Sequence, residues 1–186
     1  MKKNRFFAFA MAVTVLSLSM AGCGYPEGED GISGKWAYIH ETDKVAFKVN
    51  ASEHKAVLDG KSYSCDADSD FITLTDKSGS EMKLRYTKDD KGIYLYKIQE
   101  YTYEGTPEEG SLTGVWSDPE QSWSFEFTDA GEFKEDGYFP GYYLEDKEAG
   151  TIKLMYNDHF EDTTLYYTID GNELIVEYPW RMVKPE

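Results

Sequence analysis

Four short segments recur in the same order at a nearly constant spacing, and this repeat limits the fold more than any other feature of the chain. Ile32-Ser-Gly-Lys-Trp36 returns as Leu112-Thr-Gly-Val-Trp116 at an offset of 80. Val45-Ala-Phe47-Lys-Val49 returns as Trp123-Ser-Phe125-Glu-Phe127 at an offset of 78. Ile72-Thr-Leu74 matches Ile152-Lys-Leu154 at 80, and Gly92-Ile-Tyr-Leu95 matches Gly171-Asn-Glu-Leu174 at 79. The series implies an internal duplication, with one module at 32–104 and a second at 112–186. Between them, Gly105-Thr-Pro-Glu-Glu-Gly-Ser111 reads as a linker. Modules of about 75 residues bury a low fraction of their surface. No disulfide framework or metal signature is present to staple them. They are therefore expected to pack against each other or to share one sheet.

Within each module the apolar period is two. Trp123, Phe125 and Phe127 alternate with Ser122, Ser124, Glu126 and Thr128. Leu165, Tyr167 and Ile169 alternate with Thr164, Tyr166, Thr168 and Asp170, and Leu174, Val176 and Tyr178 with Glu173 and Glu177, although Ile175 breaks the pattern. Such alternation belongs to half-buried antiparallel strands. Turn signals lie between the runs at Asp59-Gly60, Ser78-Gly79, Asp89-Asp90-Lys91-Gly92, Ala130-Gly131, Asp136-Gly137 and Asp170-Gly-Asn172. The expected class is all-β: two tandem antiparallel meanders of about six strands each, closing as small barrels, with no helix in the mature chain.

The front of the chain has another character. Lys2, Lys3 and Arg5 precede an apolar run from Phe6 to Leu18, too short to span a bilayer. Ala21-Gly22 then leads into Cys23. This order resembles the signal and lipobox of bacterial lipoproteins. The resemblance implies that residues 1–22 are a signal peptide cut between Gly22 and Cys23, with diacylglycerol on the Cys23 thiol. It also implies a chain held at the extracytoplasmic face of the cell membrane, where two or three acyl chains suffice as an anchor. Residues 23–31, rich in Gly, Pro and acid, read as a flexible tether. Cys65, the only other cysteine, has no intramolecular partner once Cys23 carries lipid. Its strand-like flanks and acidic neighbours Asp66 and Asp68 fit a small buried side chain rather than a reactive thiol.

Gly34-Lys-Trp36 and Gly114-Val-Trp116 each open a meander. A Gly-x-Trp at that place is similar to the motif that opens lipocalins and related calycins, in which the Trp plugs the closed end of the barrel. In the second module the motif is followed by Trp123-Ser-Phe-Glu-Phe127, Gly131-Glu-Phe133, Tyr143, Thr151-Ile-Lys-Leu154, Leu165-Tyr-Tyr-Thr-Ile169, Gly171-Asn-Glu-Leu174 and Met182-Val-Lys184. That series resembles the small lipocalin-like repeats of Gram-positive surface lipoproteins, a family of uncharacterised function. Each module is shorter than a true lipocalin and lacks its C-terminal helix. A barrel this narrow fills with its own side chains, so ligand binding inside it does not carry over.

The formal charge is −16, and removing the three positive charges of residues 1–22, a segment with no acid, makes it −19. With no basic stripe to offset it, this charge excludes nucleic acid as a partner. Asp66-x-Asp68-x-Asp70 opens like a calcium loop, but Phe71 and Lys77 stand where such a loop needs Gly and Glu. His40, His54 and His159 are not spaced as ligand pairs. No metal or other cofactor is implied. No nucleophile elbow is present either, and carboxylate pairs among 35 acids carry no information about hydrolysis. The chain reads as a non-enzyme. Most of its fifteen Tyr belong in the core and in cross-strand pairs. Tyr138-Phe-Pro-Gly-Tyr-Tyr143 differs, because Pro140-Gly141 signals a turn that would display Tyr138, Phe139, Tyr142 and Tyr143 as an interaction patch. A module that binds a small molecule, glycan or protein at the envelope leads the alternatives. A structural accessory subunit of a membrane complex is second, and a hydrolase third.

Overall fold

Alternating apolar and polar side chains make nearly every regular segment a strand. A computed structural model describes residues 31–118, 120–158 and 160–186. Gly22, Cys23, the signal segment, the tether up to residue 30 and His159 lie outside the described residues. Among the described residues seven strands precede the 105–111 segment: β1 (Gly34–Tyr38), β2 (Phe47–Asn50), β3 (Lys55–Leu58), β4 (Lys61–Ala67), β5 (Phe71–Thr75), β6 (Glu81–Asp89) and β7 (Gly92–Tyr103). Seven follow it: β8 (Gly114–Asp118), β9 (Trp123–Phe127), β10 (Glu132–Glu135), β11 (Phe139–Asp146), β12 (Thr151–Tyr156), β13 (Thr163–Asp170) and β14 (Glu173–Val183). About six per half were expected. Among the described residues there is no α-helix, only a 3₁₀ turn at Ala51–Glu53. No helix there is long and apolar enough to cross a membrane.

Each strand pairs antiparallel with the next, and β1 pairs with β14 (Ala37 opposite Val183), so the sheet closes as a ring. β14 also pairs with β7 over ten residues, from Glu173 opposite Thr102 to Met182 opposite Ile93. This seam crosses the ring. Its unbroken register places Ile93, Leu95, Lys97, Gln99 and Tyr101 on one face of β7, because side chains repeat every second residue. The apolar members fall at the two ends and the polar pair in the middle. The interior accordingly gathers into two clusters. Trp36, Phe47, Val49, Ile72, Leu74, Ile93, Leu95 and Met182 belong to one. Tyr101, Trp116, Phe125, Phe127, Ile152, Leu154, Leu174 and Val176 belong to the other. Cys65 is buried in the first cluster.

The two Gly-x-Trp segments adopt the same local geometry. Trp36 Nε1 donates to the Ile32 carbonyl and Trp116 Nε1 to the Leu112 carbonyl, both at 2.7 Å and both buried. Gly114 has φ +127°, and a Cβ there would fall 2.3 Å from the Tyr103 hydroxyl oxygen, so only glycine fits. Other contacts recur at similar offsets. Asp59 N donates to the Ala46 carbonyl at 2.8 Å and Asp136 N to the Ser124 carbonyl at 2.9 Å. Tyr86 N donates to the Asp70 carbonyl at 2.8 Å and Tyr167 N to the Gly150 carbonyl at 2.9 Å.

One turn expected from the sequence is absent. Pro140 and Gly141 lie inside β11, opposite Lys134 and Phe133 of β10, and the chain reverses earlier, at Asp136-Gly137. Gly141 serves close approach instead: a Cβ there would stand 2.3 Å from the Met155 carbonyl oxygen and 2.6 Å from Phe133 Cε1.

Candidate functional site

A cleft of about 1140 Å³ opens where the two halves meet along the seam. The first half contributes the end of β1 with Tyr38 and Ile39, and β7 with Tyr94 and Tyr96. The second contributes Glu135, Asp136 and Phe139 around the β10–β11 turn, Tyr156, and Phe160 to Thr164 leading into β13. Tyr178 to Arg181 of β14 form the remaining wall.

The walls are largely aromatic. Phe139 meets Phe160 edge-on with ring centres 5.2 Å apart, Phe160 meets Tyr156 at 5.6 Å, and Tyr156 meets Phe133 at 5.1 Å. Those contacts run from the cleft into the second cluster. Across the cleft, Tyr38 packs edge-on against Trp180 at 5.6 Å. The Lys97 ammonium donates to the Tyr38 hydroxyl and lies 3.2 Å from Asp59 Oδ2. It also sits 5.0 Å from the Trp180 ring centre. Among the described residues, Trp180 Nε1 and Arg181 Nε are buried without a hydrogen-bond partner.

Glu135 is the chemically unusual member. It shares a strand face with buried Phe133, two residues before it, so the β pleat turns a carboxylate inward. The Tyr156 hydroxyl donates to its Oε2 at 2.5 Å. Burial raises its pKa above the ordinary carboxylate range; the Tyr156 bond opposes that and the neighbouring Asp136 charge adds to it. The same burial, with the charges of Glu135 and Asp136, pushes Tyr178 up to about 12. Among the described residues no lysine or arginine forms an ion pair with Glu135. The one arginine of the wall, Arg181, faces Glu161 at 3.5 Å.

The residues read from the sequence as an interaction patch do not come together. Phe139 joins the cleft wall. Tyr138 is 81% exposed on the turn, and Tyr142 projects outward from β11. Tyr143 points inward, edge-on to Phe127 at 5.0 Å, with its hydroxyl donating to the Thr128 carbonyl at 2.9 Å. Once Pro140-Gly141 is strand rather than turn, alternation separates these four. Trp123 packs against the second cluster. The Asp66-Asp68-Asp70 series is spent locally: Asp68 Oδ1 accepts from the Asp70 and Phe71 amides at 2.9 and 2.8 Å, and Asp66 meets His54 Nδ1 at 2.8 Å. Among the described residues no three His, Cys, Asp or Glu side chains are grouped to hold a metal ion.

No family model, curated protein or solved structure matches this chain. Glu135 was missed by the sequence reading, yet it left a trace: in Glu132-Phe-Lys-Glu135 an acid falls on the beat of the inward-facing Phe133.

Proposed function

We propose that this chain is a lipid-anchored binding protein of the extracytoplasmic membrane face, built from two duplicated lipocalin-like modules and acting without catalysis. The observation that carries the binding reading is the cleft. Its volume of about 1140 Å³ is that of a site for a small ligand or a short segment of a larger one, and eight aromatic side chains line it. The paired Trp36 and Trp116 bonds, and the amide bonds that recur at nearly the spacing of the sequence repeat, favour duplication of one ancestral meander. In this reading the ligand sits between the modules, since each interior is filled by its own cluster. Anchoring through Cys23 accounts for the basic and apolar order of residues 1–22.

A structural accessory role is the second reading. Tyr142 and Leu144, 51% and 61% exposed on the outer face of β11, favour it as a contact for another subunit.

Two measurements test the first reading. Mass spectrometry of the membrane-bound protein should find diacylglycerol on residue 23, and Cys23→Ala should release the chain from the membrane. A panel of small molecules, oligosaccharides and short peptides, screened by thermal shift, should contain compounds that stabilise the wild type but not Thr164→Trp, which adds bulk at an exposed cleft position. If every compound acts equally on both proteins, the cleft is not the binding site.

A further inference from the structure

We infer that the cleft receives a small organic cation, one carrying its charge on an alkylated nitrogen with an apolar surface, and that Glu135 is its charge partner. The inference rests on the binding reading above and names the ligand class.

Charge is the first argument. The walls carry Glu41, Glu135, Asp136, Glu161 and Asp162 against Arg181 and the Lys97 ammonium beside the Tyr38 and Trp180 rings, which Asp59 already pairs. That arginine already faces Glu161. An anionic ligand would meet this excess with its own charge, in a site whose low-dielectric walls strengthen every electrostatic term. Glu135 is half-buried, and a carboxylate partly withdrawn from water without a cation carries a desolvation cost that a positive partner would offset. Glu135 has a phenol as its hydrogen-bond partner and another acid beside it. A positive ligand would supply the missing charge.

The rings are the second argument, because they select the kind of cation. An inorganic cation needs several oxygen or nitrogen donors converging on it, and no such group exists among the described residues. Aromatic faces instead attract diffuse, weakly hydrated positive charge, quaternary ammonium above all. The protein's own cations already use these rings in that way. The Lys97 ammonium lies 4.8 Å from the Tyr38 ring centre and 5.0 Å from that of Trp180, and the Arg181 guanidinium carbon lies 5.8 Å from that of Tyr94. Tyr156, which holds Glu135, and Tyr178 line the same cleft. Carboxylate and ring faces can thus act on one ligand.

The test uses choline and its uncharged carbon isostere, 3,3-dimethylbutan-1-ol, titrated calorimetrically into the full-length protein in a non-ionic detergent. Choline should bind at least about tenfold more tightly than the alcohol, a difference of about 1.4 kcal/mol. In Glu135→Gln, which keeps an acceptor for Tyr156, choline should weaken to near the alcohol while the alcohol is unchanged. Equal binding of the two compounds to the wild type would overturn the cation inference and leave the cleft as a binding site. Full choline affinity in a folded Glu135→Gln would overturn the role of Glu135. If neither compound binds but the thermal-shift panel yields a ligand blocked by Thr164→Trp, the ligand class is wrong and the binding reading stands. If neither binds and the panel yields nothing, both fall.

Discussion

Replacing Trp116 by Phe tests both the buried indole bond and the seam. The substitution removes the donor that the Leu112 carbonyl uses at 2.7 Å, in a site where Trp116 is wholly buried. Leaving a buried acceptor without its donor costs about 1–3 kcal/mol. The smaller ring also forfeits roughly 40 Å² of buried apolar surface, about 1 kcal/mol. Together these give a loss of about 2–4 kcal/mol, or a fall in Tm of roughly 5–15 °C for a domain of this size. The change lies in the second cluster, yet its consequence should not stay there. β7 and β14 contribute side chains to both clusters and are joined over ten residues. Hydrogen exchange read by mass spectrometry should show β2–β5 and β9–β12 losing protection together, at the same lower temperature. If β2–β5 keep wild-type protection while β9–β12 open, the seam does not couple the clusters. A Tm unchanged within a degree or two would refute the hydrogen-bond argument itself.

Glu135→Gln should raise Tm near neutral pH. The folded-state pKa of Glu135 lies above its unfolded value, so ionisation opposes folding and wild-type stability falls as pH rises between the two values. The gap between variant and wild type should therefore widen upward through that window and close near pH 4, and a gap independent of pH would contradict the burial argument. Arg85→Met should cost about 1–3 kcal/mol in urea unfolding. Arg85 Nε donates to Glu177 at 2.7 Å, and its guanidinium lies 3.9 Å from the centre of the Tyr166 ring, linking β6, β13 and β14. Gly141→Ala should destabilise by about 1–3 kcal/mol, since the new methyl group meets the Met155 carbonyl; wild-type stability would mean that β11 and β12 are less closely packed.

Local chemistry made the strands legible. Period-two runs such as Trp123–Phe127 and Gly-containing turns such as Asp59-Gly60 and Asp136-Gly137 depend on neighbours within a few residues. Where two local signals conflict, local chemistry misleads. Pro140-Gly141 carries turn residues, but cross-strand pairing with Lys134 and Phe133 keeps them extended. A shared sheet was one of two arrangements expected, but which strands join was out of reach, because β1 meets β14 and β7 meets β14 through pairings between distant parts of the chain. The cleft was hidden for the same reason, since its walls come from five separated stretches of sequence. Even so, Lys97 and Gln99 between Leu95 and Tyr101 marked where one apolar interior had to give way to another.

The last strand carries a burden in biogenesis. Val183 meets Ala37 from the far end of the described chain, and the same strand covers the free edge of β7. Until β14 is in place, the edges of β1, β7 and β13 leave three rows of backbone amides and carbonyls open to any passing strand, the arrangement that invites misassembly. A chain ending near residue 172 would leave all three edges uncovered, so closure of the ring must wait on β14.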